Sequence, residues 1–323
     1  MNRRRLMRVF FTAGAGSFLP SSFAQRFKST DHPKDQQDQS EFTLHSDVRL
    51  VVLDVSVKDR KGQFVPDLTK ESFAVFEDGK PQQITVFAHD DLPVTVGILV
   101  DESFSMKPKR AEVLAAAEAF IRESNPHDEI FVLNFNDTVR RGLPPQMSFS
   151  SDLAQLRAAL EHGVPEGKTA LNDAVEDGLE QLKLGSREKK ALVLISDGGD
   201  NASIHTRREI VNLVEGRPAT IYTIGIYDEG DPDRAPGLLR QLAEISGGEA
   251  YFPKDVSAMA GICRQIADDL RVRYTVGYVP QASVGNNALR HLRVKVSLPG
   301  HQAATVFARS SYRYDEIAEQ NEK

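Results

Sequence analysis

Apolar and polar residues alternate near both ends of the chain, whereas the middle contains continuous apolar runs and helical repeats. The alternation at 51–57 and at 292–298 predicts half-buried strands. Asp78-Gly79 is a strong hairpin signal, because both residues can adopt a positive φ. Further strands in these flanks are predicted at 73–76 and 84–87, on either side of that turn, and at 274–278 and 305–308.

The middle of the chain alternates between predicted strands and predicted helices. Continuous apolar runs at 94–100 and 191–196 are typical of strands buried on both faces. Apolar residues at helical spacing predict helices at 109–124 and 169–184. Further strands are predicted at 130–135, 219–226 and 249–252, and further helices at 206–214, at 234–245 and around Cys263. This alternation indicates an α/β fold with a doubly wound, mainly parallel sheet.

The two β-rich flanks, 42–91 and 272–314, each have too few strands to form a closed sandwich alone. We therefore expect them to combine into one small β-sandwich-like domain, with the α/β domain at 92–271 inserted between them. Such insertions are tolerated where the ends of the inserted domain lie close together. The polar stretch at 25–41 is interpreted as a disordered linker, and 315–323 as a frayed tail.

The first 24 residues are interpreted as a signal peptide rather than as part of the fold. Four arginines, at positions 3, 4, 5 and 8, precede a modestly apolar stretch, and Ser22-Phe23-Ala24 fits a cleavage site before Gln25. The paired arginines also resemble a twin-arginine signal, so both the Tat and the Sec routes stay open. The prediction is export to the periplasm or beyond, and the alternative is a basic disordered tail.

Composition narrows the classes of function. The 323 residues are 40% hydrophobic and 27% charged, and the formal net charge is −6. This acidic balance argues against a general nucleic-acid binder. No apolar run beyond the N-terminus is long enough to predict a membrane span. Cys263 is the only cysteine and is expected in the core. The histidines show no ligand spacing, and His127 and His205 are expected at the surface.

Oxygen-bearing side chains follow the buried strands. Asp101, Ser103 and Ser105 come after 94–100, Thr169 opens a helix, and Asp197 follows 191–196. These loops meet at one rim if they lie beyond the carboxyl ends of parallel strands. Oxygen donors alone favour magnesium, with manganese or calcium as alternatives, over zinc, copper or iron. Two carboxylates would nearly neutralise the charge of a dication. Hydroxyls are weak ligands, so the bound cation could still accept one more anionic oxygen.

The pattern Asp101-x-Ser103-x-Ser105, followed by a distant Thr169 and Asp197, resembles the metal-ion-dependent adhesion site of the von Willebrand factor type A domain family. The resemblance covers about 92–271 and implies a Rossmann-like fold. It also implies that the hydroxyls bind the cation directly, that the acids bind it directly or through water, and that an open position accepts a partner's carboxylate. The flanks, especially 65–77 and 274–278, resemble exported bacterial von Willebrand-type proteins, mostly acidobacterial.

Four neighbours of these residues have open roles. Phe104 is larger than the residue often found there in that family, so it either narrows access to the metal or contacts the partner. Glu102 is expected to face solvent, and the alternative is added charge near the metal. Asp173 either supports a ligand or is an ordinary helix-start acid. Asp200 is expected in a turn or at a helix start.

The favoured function is a metal-dependent adhesion or protein-binding module of the bacterial envelope, not an enzyme. Its partner would be a protein or envelope component, or another copy of the chain, that presents an acidic side chain. One alternative is a magnesium-dependent phosphotransferase, because a strand-end Asp can form an aspartyl-phosphate. That class usually has a second Asp two residues later, where this chain has Ser103. The other alternative is a metal-independent scaffold.

Overall fold

A computed structural model describes residues 50–227, 235–280, 288–298 and 303–313. The predicted signal peptide, linker and tail lie outside these residues. The first flank contains four strands: β1 (Val51–Lys58), β2 (Phe73–Glu77), β3 (Lys80–Gln82) and β4 (Ile84–Ala88). Asp78 and Gly79 have φ values of 47° and 78° and connect β2 to β3. The sequence prediction missed β3, which is the strand that pairs with β2 across this turn. The strand predicted at 84–87 corresponds to β4, which belongs to a different sheet.

The middle segment forms a six-stranded sheet in the order β10-β9-β8-β5-β6-β7. Its strands are β5 (Val94–Asp101), β6 (Glu129–Phe135), β7 (Val139–Arg141), β8 (Lys189–Ser196), β9 (Thr220–Gly225) and β10 (Ala250–Tyr251). All neighbours pair in parallel except β6 and β7. The predicted mainly parallel sheet is therefore confirmed. Every residue of β5 is buried, as expected for a central strand covered on both faces.

Helices cover this sheet in two groups. They are α1 (Arg110–Glu123), α2 (Leu153–Glu161), α3 (Leu171–Lys183), α4 (Arg207–Gly216), α5 (Pro236–Ser246) and α6 (Met259–Val272). Helix α1 packs against α2 and α6, whereas α4 packs against α3 and α5. Helix α4 begins at a capping box between Thr206 and Glu209, which satisfies exposed backbone N–H groups. Cys263 is buried on α6, as predicted, and His127 is exposed.

The last four strands complete two antiparallel sheets with strands from the first flank. They are β11 (Tyr274–Tyr278), β12 (Leu289–Val296), β13 (Thr305–Phe307) and β14 (Ser311–Arg313). The sheet orders are β13-β1-β11-β4 and β14-β12-β2-β3, so each sheet takes strands from both sides of the α/β segment. Side chains of both sheets, including Leu53, Val75 and Val276, share one buried cluster. The division of the chain into domains stays a prediction.

The connections between the two parts are short. Five residues separate the end of β4 from the start of β5, and Arg273 alone separates α6 from β11.

Among the residues described, no helix is long and apolar enough to cross a membrane.

Candidate metal centre

Four of the five predicted ligand residues are linked by hydrogen bonds at the carboxyl ends of β5 and β8. The Ser103 backbone N–H donates to Asp101 Oδ1 over 2.8 Å. The hydroxyl oxygens of Ser103 and Ser105 lie 3.1 Å apart, and the Ser105 hydroxyl donates to Asp197 Oδ2. This grouping follows from the fold, since β5 and β8 are parallel neighbours and both loops leave the same edge of the sheet.

Thr169 lies on the third loop and is held beside the other two by its backbone. The Asn201 and Ala202 N–H groups donate to the Thr169 carbonyl at 3.0 and 3.1 Å, and the Thr169 N–H donates to Asn201 Oδ1 at 2.9 Å. The Phe104 N–H also donates to the Gly167 carbonyl, at 3.2 Å. Within the described ranges, the Thr169 hydroxyl hydrogen-bonds to none of the other four predicted ligands, so its oxygen is not committed to them.

The two carboxylates of the site are buried together. Asp101 is 2% exposed and Asp197 is 4% exposed. No Lys, Arg or His of the described chain forms an ion pair with either one. Burial, and secondly the charge of Asp197, raise the pKa of Asp101 to about 7, although hydrogen bonds from Ser103 and Ser196 oppose the shift. An unpaired buried charge is costly, and a bound dication would neutralise this pair.

The donor set therefore fits a hard divalent cation. It offers carboxylate and hydroxyl oxygens, which such cations prefer. The described residues contain no group of three or more His, Cys, Asp or Glu side chains that could hold a metal ion. Any divalent cation at this edge would thus depend on the hydroxyls of Ser103, Ser105 and Thr169 as well as on the two acids.

Ser196, the last residue of β8, supports the site and was not singled out from the sequence. Its hydroxyl donates to Asp101 Oδ2 over 2.6 Å and accepts the Gly198 N–H at 2.9 Å. With the Ser103 N–H on Oδ1, both carboxylate oxygens of Asp101 are held in place. The available sequence signal was a hydroxyl residue directly before a strand-end acid, which is too common a pair to be diagnostic.

Gly198 adopts a left-handed φ of 81°, where a Cβ atom would lie 3.2 Å from both the Ala235 carbonyl oxygen and the Tyr227 hydroxyl. Gly198→Ala is expected to destabilise the protein by about 1–3 kcal/mol, because non-glycine residues are strained at this φ. Chemical denaturation measures the loss. The control is Gly237→Ala in α5, where no atom lies within 4 Å of the added Cβ and alanine favours the helix. Equal stabilities of the two variants would contradict the prediction.

Glu102 does not face solvent, so that expectation was wrong. Its side chain is 2% exposed and accepts a hydrogen bond from Arg110 Nε at 2.9 Å. Arg110 also donates to the Gly163 carbonyl, at 2.8 Å, and so holds the loop that contains Gly163 beside the Glu102 carboxylate. Burial raises the pKa of Glu102, and the Arg110 guanidinium opposes that shift. The residue between Asp101 and Ser103 thus forms an internal ion pair instead of adding free charge to the site.

Asp173 and Asp200 both fasten the loop after β8 onto the start of α3. Asp173 accepts the N–H groups of Ile204 and His205, each at 3.0 Å, and lies 2.8 Å from His205 Nδ1. That contact raises the pKa of the partly exposed His205. Asp200, in the loop after β8, accepts the Asn172 N–H at 2.8 Å, so its side chain serves the start of α3 as expected. Neither acid hydrogen-bonds to a predicted ligand within the described residues.

The fold and the donor set together define an α/β domain with an oxygen-lined site at the carboxyl edge of its sheet. More particularly, the sequence model of the von Willebrand factor type A domain family matches residues 96–199. This range contains all five predicted ligands. No curated protein matches the chain.

Several solved structures are similar to this chain. A von Willebrand factor type A structure from Catenulispora acidiphila matches at 14% identity and a TM-score of 0.51, over 84% of this chain and 75% of that one. The mussel byssus proximal thread matrix protein 1, described with a zinc occupied MIDAS motif, matches at 16% identity and a TM-score of 0.46, over 56% of this chain and 49% of that one. The vWF domain of the type V pili tip protein Mfa5 from Porphyromonas gingivalis matches at 14% identity and a TM-score of 0.43, over 60% and 99%.

The family model supports a von Willebrand factor type A domain at residues 96–199, and the first of these structures supports the fold. The match to the Catenulispora acidiphila structure covers more of this chain than residues 96–199. The shared fold therefore extends beyond the part that the family model recognises.

Proposed function

We propose that this protein binds one divalent cation and uses it to hold a carboxylate of a protein partner. Asp101, Ser103, Ser105, Thr169 and Asp197 would hold the cation, which would be magnesium, with manganese or calcium as alternatives. The observation that carries the proposal is the buried pair of Asp101 and Asp197, which are linked through Ser103 and Ser105 and form no ion pair with a cation of the described residues. When bound, the cation would supply a positive centre that attracts an anionic oxygen.

A binding role is favoured over catalysis by the residue two positions after Asp101. A phosphotransferase of the aspartyl-phosphate type needs an acid or base there to move a proton. Ser103 occupies the position, and its hydroxyl lies 3.1 Å from the Ser105 hydroxyl. We therefore propose an adhesion or protein-interaction module. Its place in the bacterial envelope is proposed from the arginine-rich start and the Ser22-Phe23-Ala24 cleavage pattern, which lie outside the described residues.

The test is retention of the full chain on beads that carry a Gly-Ser peptide with one central Asp. In magnesium we expect retention at least ~10-fold above that on a matched peptide with Asn in place of Asp, because the amide carries no charge for the cation. EDTA should remove the difference. Equal retention with and without EDTA would favour a metal-independent scaffold and overturn the proposal.

A further inference from the structure

Three large apolar side chains are exposed on the loops that surround the candidate metal centre. Phe104 is 66% exposed, Val164 is 49% exposed and Ile204 is 89% exposed. Single apolar residues scattered over a surface need no explanation, whereas these three lie on loops that hydrogen bonds join around one site. We call Phe104, Val164 and Ile204 the apolar rim.

Phe104 and Val164 lie on two loops that run side by side. The Glu166 N–H donates to the Glu102 carbonyl at 2.9 Å, and the Phe104 N–H donates to the Gly167 carbonyl at 3.2 Å. These two bonds hold the loop that contains Val164 against the loop that contains Phe104. Phe104 itself stands directly between two predicted ligands in the sequence, and its side chain projects from the protein.

Ile204 belongs to the loop after β8, which is tied to the same region. The Asn201 N–H donates to the Thr169 carbonyl at 3.0 Å, and the Ile204 N–H donates to Asp173 Oδ2 at 3.0 Å. Helix α3 begins two residues after Thr169, and Asp173 lies in its first turn. The backbone that presents Ile204 is therefore fixed, although its side chain is almost fully exposed.

Charges on the same loops match an acidic partner. Lys107 and Lys168 are exposed close to Ser105 and Thr169 in the chain, and Lys107 Nζ lies 5.9 Å from the centre of the Phe104 ring. Three exposed acids oppose them in part: Glu166 and Asp200 on the same loops, and Asp137, which accepts the Lys168 backbone N–H at 3.1 Å. A bound dication, with Lys107 beside Phe104, would place positive charge where the partner's carboxylate binds.

We infer that the partner presents its carboxylate on a protein segment with apolar side chains on both sides, and that these side chains pack on the apolar rim. This inference rests on the proposed function. A carboxylate–cation contact open to water is weakened by solvent and salt. Apolar contacts around it exclude water, in the way that the surroundings of a binding hot spot do. The rim therefore supplies both affinity and selectivity that the metal alone lacks.

The experiment compares immobilised peptides with a central Asp flanked either by Leu and Phe or by Ser, probed with the full chain in magnesium. We expect at least ~10-fold stronger binding to the apolar-flanked peptides, from burial of one or two large side chains. Phe104→Ser and Ile204→Ser should each remove most of this preference. Leu184→Ser is the matched control. Leu184 is 61% exposed but lies at the far end of the 13-residue helix α3, ~20 Å from its start.

Two readouts separate this inference from the proposed function. The magnesium-induced rise in Tm is measured alongside peptide binding. A wild-type protein without that rise would overturn the proposed function, whereas a normal rise with equal binding to both peptide sets would overturn only the apolar rim. Equal loss of preference in Leu184→Ser would also overturn it. Dimerisation, or binding to lipid vesicles, that depends on Phe104 would assign the rim to another occupant.

Discussion

Replacing Asp101 with asparagine is expected to abolish the rise in Tm that magnesium produces in the wild-type protein. Asparagine keeps the size of the side chain but removes the charge that a cation needs. A ligand at 100 times its Kd stabilises a protein by about 2.7 kcal/mol, which corresponds to a rise in Tm of about 5 °C for a chain of this size. Differential scanning fluorimetry with and without magnesium measures the effect.

The metal-free Asp101→Asn protein should be close in stability to the metal-free wild type, because the loss of one acceptor for Ser103 or Ser196 offsets the relief of charge repulsion. Asp101 is buried beside Asp197, and its pKa is raised to about 7, so the ionised carboxylate is unfavourable in the fold. Removing that charge relieves the repulsion. Glu166→Ala is the control, because this exposed acid lies on a ligand loop and should leave the magnesium response intact. A full magnesium response in Asp101→Asn would show that Asp101 is not a ligand.

Much of the α/β fold could be predicted because its strands and helices carry strong local patterns. A continuous apolar run such as 94–100 fits few places other than a sheet covered on both faces, and β5 is fully buried. The missed strands β3 and β7 have weak patterns, whereas helix α2 was missed although its apolar residues have helical spacing. Strand β7 is the three-residue segment Val139–Arg141, two of whose residues are arginines, and β3 is a three-residue segment that includes a proline. Such elements depend on their pairing partners rather than on their own sequence.

The candidate site could be predicted because its residues follow the ends of neighbouring parallel strands. The structure brings Asp101, Ser103, Ser105 and Asp197 together, and it holds Thr169 beside them through backbone bonds. Their role as ligands stays a prediction.

Glu102 shows the limit of such reasoning. It lies between two residues of the site, but side chains alternate along an extended backbone, so it points to the other side. There its surroundings depend on Arg110 and on the distant Gly163, which nothing in the local sequence reveals.

Arg273 gave no signal in the sequence, although it connects the two parts of the protein. It is 1% exposed between α6 and β11. Its guanidinium donates to the Gly247 carbonyl at 2.5 Å and to the Asp54 carbonyl of β1 at 3.2 Å. It also pairs with the buried Asp269 at 3.3 Å. These partners are far apart in the chain, so only the folded structure shows that one arginine joins the central sheet region to the flanking strands.

Arg273→Met is therefore expected to destabilise the protein by about 3–5 kcal/mol, because it leaves the buried charge of Asp269 without its cation. Urea denaturation measures the loss. Arg271→Met, two residues earlier in α6, is the control. That side chain is partly exposed and lies 3.4 Å from Asp91, so its loss should cost about 1 kcal/mol or less. Adding Asp269→Asn to Arg273→Met should recover part of the stability, since no unpaired charge is then buried. A loss in Arg273→Met no larger than in Arg271→Met would show that this arginine does not hold the two parts together.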